Sequence, residues 1–141
     1  LPPDIRDVFT QMVVEFDKAI EYCRTSAGFP PLEIQNFWIN VNGPGSYHTL
    51  HNHQDAMLSG VFYIDIPTEN MGDLQFYRGD EAQYYIPDNL STYNTITSTM
   101  ATYPPKPGMM VIFPAWVKHA VKQNRSDSER IAISFNYGVK Q

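Results

Sequence analysis

The sequence predicts a mainly β protein, a double-sheet β-roll or barrel carrying one N-terminal helix packed on a sheet. Three observations lead there. A single apolar pattern of helical period occurs, and it lies at the start of the chain. After Pro31 the texture changes to short runs rich in aromatic and β-branched residues. Breaks containing Gly, Pro, Asn and Asp separate those runs. One helix against about eight strands is too little helix for a doubly wound α/β protein.

The helix is expected from about residue 4 to about residue 25. Ile5, Val8, Phe9, Met12, Phe16, Ala19, Ile20 and Cys23 recur at steps of three and four and make one apolar stripe. Asp4 is the expected N-cap, with Asp7 as the acidic residue three positions on. Gly28, Pro30 and Pro31 should stop the helix. Strands are then expected at 34–41, 46–51, 58–66, 74–77, 95–102, 109–113, 120–123 and 130–137. Asn42-Gly43-Pro44-Gly45 and Arg78-Gly79-Asp80 are among the turn sequences between them. The longest connection without a clear pattern, 79–93, is a candidate lid. Neither an internal repeat nor a linker divides the chain, so residues 1–141 are expected to form one domain.

Composition narrows the function. The chain has 141 residues, 43% hydrophobic and 18% charged, as in ordinary globular proteins. Its net charge of -5 and lack of basic runs give no strong nucleic-acid signal. Cys23 is the only cysteine, which excludes an internal disulfide or a thiolate metal site and suits a packed thiol. No apolar run approaches the roughly 20 residues of a membrane helix, and the start carries no apolar signal core. A cytoplasmic location is therefore expected, from a chain that opens at Leu1 and so reads as truncated or processed.

Four histidines carry the chemistry. His48, His51 and His53 cluster, and His119 answers them far down the chain. Residues two apart on a strand face one side, so a strand running through His51 and His53 would present two imidazoles together. His119 follows the run 109–113, where a strand end can be brought opposite His51. Asp55 lies two after His53, so His53, Asp55 and His119 make a two-histidine, one-carboxylate face, whereas His51, His53 and His119 make a three-histidine one. Spacing does not choose between them, and exposed histidines in a polar loop are the plain alternative. His48 is out of phase and falls outside the ligand set.

Three blocks resemble one family in order. They are His51-Asn52-His53-Gln54-Asp55 leading into Leu58-Ser59-Gly60-Val61-Phe62-Tyr63, then Pro107-Gly108 through Trp116 with His119-Ala120-Val121, and lastly Glu129-Arg130-Ile131-Ala132-Ile133-Ser134-Phe135-Asn136. Together they resemble a small branch of the iron- and 2-oxoglutarate-dependent oxygenases. The resemblance runs from about residue 36 to residue 137. It implies a double-stranded β-helix, or jelly roll, with Fe(II) near its open end. The implied metal ligands are His51, His53 and His119, with Asp55 as the alternative to His51, since the wider superfamily carries His-x-Asp. Arg130 matches the arginine that clamps the distal carboxylate of 2-oxoglutarate, and a guanidinium fork suits that task. Ser134, four residues on, shares its strand face, and Tyr63 matches a tyrosine that contacts 2-oxoglutarate. The bland alternatives are a salt-bridged surface Arg130 and a core-packing Tyr63. Asn36 and Asn136 are candidates for the mouth.

The implied reaction consumes molecular oxygen and 2-oxoglutarate, releases succinate and carbon dioxide, and hydroxylates a substrate that the sequence does not identify. Two rivals stand beside it. One is a cupin-like dioxygenase that uses three histidines without 2-oxoglutarate. The other is a jelly-roll binding protein without catalysis.

Overall fold

A computed structural model describes residues 2–141. It begins with helix α1 (Pro3–Ala27), followed by β1 (Leu32–Asn42), β2 (His48–His51), β3 (Leu58–Asp65) and β4 (Leu74–Tyr77). A short 3-10 helix (Glu81–Tyr84) precedes β5 (Met100–Tyr103), β6 (Met110–Pro114), β7 (His119–Val121) and β8 (Arg130–Val139). The protein is mainly β, as its sequence texture predicts. Among the described residues no helix is long and apolar enough to cross a membrane.

Helix α1 starts a little earlier than expected. Pro2 is its cap residue, Pro3 its first residue, and no side chain caps it. Proline suits this place because its fixed φ is helical and its missing N–H would be unpaired there anyway. Asp4 is therefore not the N-cap; it lies in the first turn, where a negative charge favours the exposed N–H groups. The stop is as expected. Gly28 takes the left-handed conformation (φ 73°), and Phe29 N–H returns to Arg24 O at 2.9 Å.

The strands form two four-stranded sheets, ordered β1-β8-β3-β6 and β2-β7-β4-β5. All ladders within them are antiparallel. Strand β8 is central to the first sheet and alternates between two environments. Ile133, Phe135 and Tyr137 pack with Phe16 and Ile20 of α1 and with Leu58 of β3. Arg130, Ala132, Ser134 and Asn136 line a cavity on the opposite face. The helix thus covers one face of this sheet and leaves the other free to build a site.

Glycine at position 60 makes that helix contact possible. A Cβ there would sit 2.3 Å from Phe135 Cζ, so only a bare backbone lets the Phe135 ring lie flat across β3. The ring then stacks on Phe16 with centroids 4.4 Å apart.

One expected strand is shorter than its pattern. The run 95–102 pairs only from Met100, because Asn94 Oδ1 accepts from the N–H groups of Ile96 (2.9 Å) and Thr97 (3.3 Å). A side chain that satisfies successive backbone donors makes a turn and competes with the ladder.

Candidate metal centre

The second sheet positions two of the histidines. His51 ends β2, His119 begins β7, and the two are ladder partners. Their ring centroids are 4.2 Å apart. His53 does not lie on the same strand: β2 ends at His51, so alternation along one strand is not what gathers these imidazoles. Instead, His53 N–H donates to Ala115 O at 3.0 Å, which folds the chain back beside the end of β6. The His53 ring then lies 5.2 Å from that of His51 and 5.1 Å from that of His119.

One nitrogen from each of His51, His53 and His119 lies within 4.8 Å of the other two, a spacing that suits three ligands of one ion. Asp55 is not in this group; it is exposed in the following turn, where its carbonyl accepts from Gln35 Nε2.

Two of the rings are oriented by backbone. His51 Nδ1 donates to Thr49 O at 2.7 Å, and His119 Nδ1 donates to Val117 O at 2.9 Å. A carbonyl only accepts, so each Nδ1 carries the proton and each Nε2 keeps its lone pair. His119 is buried beside Phe113, with ring centroids 4.7 Å apart. Burial pushes the His119 imidazole down to about 4, opposed by its bond to Val117, with His51, His53 and His48 adding to the fall. His53 is also lowered, first by burial and then by His51. Both effects favour the neutral imidazole that binds metal.

The same cavity receives side chains from the first sheet. His51, His53 and His119 line it together with Tyr63, Arg130, Ser134, Asn40 and Asn42. Tyr63 is buried, and burial raises its phenol pKa while Arg130 acts to lower it. The Ser134 hydroxyl accepts from Asn40 Nδ2 at 2.8 Å. Asn136 reaches both Ser59 Oγ (2.6 Å) and Asn36 (2.9 Å), so these mouth candidates form a hydrogen-bonded row across three strands.

Arg130 is 4% exposed and makes no ion pair among the described residues. Its Nη1 donates to Gly72 O (2.9 Å) and Met71 O (3.2 Å), and its Nη2 to Asn42 Oδ1 (3.0 Å). Its Nε is buried without a partner. The salt-bridged surface arginine is therefore not what the fold contains. Burial pulls the Arg130 pKa below its usual value, and Tyr63 acts the other way.

Two supports of Arg130 escaped the sequence reading. Gly72 (φ 97°) could not carry a Cβ, which would meet Lys122 O at 2.3 Å; the glycine is there for a close approach. Asn42 reads as turn chemistry in Asn42-Gly43-Pro44-Gly45, yet it is the last rung of β1 opposite Arg130. The signal available was its even spacing from Asn36 and Asn40, which puts all three on one strand face.

Residues 36–136 match the family model described as "Putative 2OG-Fe(II) oxygenase". No curated protein matches the chain. Among solved structures, the chain is similar to a 2OG-Fe(II) oxygenase family oxidoreductase from Burkholderia pseudomallei, at 16% identity and a TM-score of 0.59. That alignment covers 77% of this chain and 46% of the other. HygX from Streptomyces hygroscopicus, with nickel and 2-oxoglutarate bound, aligns at 12% identity and a TM-score of 0.67, over 99% of this chain and 70% of that one. The non-heme alpha ketoglutarate dependent epimerase SnoN from nogalamycin biosynthesis aligns at 16% identity and 0.69, over 94% and 58%. The chain thus spans between 46% and 70% of the length of these structures, and the likeness is one of fold. Because the family match runs through most of the chain, from Asn36 on β1 to Asn136 on β8, the chain belongs to the 2OG-Fe(II) oxygenase family.

Proposed function

We propose that this chain is an Fe(II)- and 2-oxoglutarate-dependent oxygenase that hydroxylates a C–H bond of a substrate still to be identified. The observation that carries the reading is one cavity faced by two complementary groups. On one wall stand three imidazoles within 4.8 Å of one another; on the other is a buried arginine that has no carboxylate partner among the described residues. The interleaved order β1-β8-β3-β6 and β2-β7-β4-β5 supports a double-stranded β-helix, here as a single domain over 1–141.

The residues fit both groups. His51, His53 and His119 would hold the iron, two of them with Nε2 already turned free by the bonds at Nδ1. The partnerless Nε of Arg130 leaves part of a buried cation for an acidic ligand, which suits the distal carboxylate of 2-oxoglutarate. Tyr63 and Ser134 line the space between and would bind the same co-substrate. When bound, iron and 2-oxoglutarate supply the oxidation, consuming molecular oxygen and releasing succinate and carbon dioxide. The chain itself orients the ligand nitrogens, neutralises the co-substrate charge and keeps the His119 side of the cavity apolar with Phe113.

Anaerobic calorimetry with Fe(II) and then 2-oxoglutarate, followed by a succinate assay, tests this. Wild type should bind both; His51→Ala should lose iron and activity; Asp55→Ala should keep them. Arg130→Ala should keep iron and lose at least about tenfold in 2-oxoglutarate affinity, since it removes hydrogen bonds to a charged group. Iron retained by His51→Ala but lost by Asp55→Ala would overturn the three-histidine assignment. Oxygen uptake without succinate would favour the cupin-like chemistry that a set of three histidines also serves.

A further inference from the structure

A buried arginine is ordinarily neutralised by a carboxylate of its own protein. Arg130 is held instead by three neutral acceptors, two backbone carbonyls and one side-chain amide. The amide belongs to Asn42. A guanidinium only donates, so the Asn42 oxygen must face Arg130, and its Nδ2 is left to donate to His48 Nε2 at 3.3 Å. Asn42 is fixed at its backbone as well, because its carbonyl accepts from Asn124 Nδ2 at 3.1 Å, and Asn124 is 2% exposed. His48, Asn42 and Arg130 all line the cavity that holds the three-histidine cluster.

We propose that Asn42 is a positioning residue for the acidic co-substrate: its neutral oxygen aligns the Arg130 guanidinium without cancelling the charge, and its amide nitrogen ties His48 to the same wall. The proposal rests on the reading of Arg130 as the 2-oxoglutarate anchor. An acid at position 42 could accept from Arg130 but could not donate to His48 Nε2. An aspartate at position 42 has nearly the same shape and would accept the same bond, but it would supply the counter-ion that the ligand is meant to bring.

Asn42→Asp separates positioning from structure. The intact chain is titrated with Mn(II), then with 2-oxoglutarate, and separately with pyruvate, an oxo acid that lacks the distal carboxylate. Expected for Asn42→Asp are a melting temperature no lower than wild type, unchanged Mn(II) affinity and at least about tenfold weaker 2-oxoglutarate binding. The preference for 2-oxoglutarate over pyruvate should collapse with it. Asn42→Ala should also weaken 2-oxoglutarate, leaving pyruvate and Mn(II) affinities as in wild type. Wild-type 2-oxoglutarate affinity in Asn42→Asp would overturn the proposal while leaving Arg130 as anchor. No 2-oxoglutarate binding by wild type would overturn the anchor reading and this proposal together.

Discussion

His119 illustrates what burial does to one residue of the candidate centre. The fold holds its imidazole at about 4, against 6.5 for the free side chain. A histidine that resists protonation in the folded state gives stability that is complete above the unfolded value. It is lost as pH falls from about 6.5 towards about 4, because the unfolded chain takes up the proton first. His53 and His48 are lowered as well, both chiefly by burial, so the effect is shared. Metal-free protein should therefore melt progressively lower between pH 6.5 and pH 4. His119→Asn should flatten that dependence; an equally steep slope in the variant would refute the assignment to His119. The sequence made His119 visible through its place in the second family-like block, but not its pKa. That depends on Phe113, His51 and His53 closing around it, which no local pattern encodes.

Elements show a different balance. The stripe on α1 and the aromatic runs of β3 and β8 were legible as faces, since period and burial follow directly from apolar spacing. Which side chains meet was not. Gly60 is an unremarkable residue in a strand pattern until the ladder puts it opposite Phe135. Gly60→Ala should cost about 1–3 kcal/mol in denaturant unfolding, the usual range for overpacking a core. The Phe135 ring would have to leave its stack on Phe16. Adding Phe135→Leu should recover part of that loss, because the two sites share one space; simple additivity would argue against the clash. Boundaries were the least legible feature. The start of α1 was decided by proline and that of β5 by the Asn94 side chain, where two local chemistries compete within a few residues.

At the scale of the molecule, the candidate site lies between sheets that each supply half of it. The histidines stand on or beside β2 and β7, whereas Arg130, Ser134 and Tyr63 stand on β8 and β3. The first sheet is in turn fixed from behind by α1. Burial of Phe16 and Ile20 alone contributes roughly 1.5–3 kcal/mol each. Tyr137 Oη adds a 2.5 Å bond to Asp17 across the same contact. Deleting residues 2–27 should uncover Leu58, Ile133, Phe135 and Tyr137, so near-UV circular dichroism should disappear and metal binding with it. A truncated chain that still bound Fe(II) with wild-type affinity would mean that the site stands without its backing. The connection 78–99 also belongs to this scale. Tyr77 N–H donates to Lys118 O, so the segment leaves β4 next to His119, and Tyr84, Tyr85 and Tyr93 stand exposed on it.

By itself, the sequence determined the mainly β class, the single N-terminal helix, the turn chemistry, and the histidines and arginine from which a site could be made. Those features are written in period, composition and short motifs, all of which act over a few residues. Only the tertiary structure decided which side chains converge. His51-Asn52-His53 and His53-Gln54-Asp55 have the same spacing, and which pair lies beside His119 turns on the path of the chain after His51. That path is held by a hydrogen bond from His53 to Ala115, sixty-two positions along the chain. Asn42 entered the site for the same reason: pairing of β1 with β8 brought it opposite Arg130, and no spacing along the chain announces a partner across a sheet.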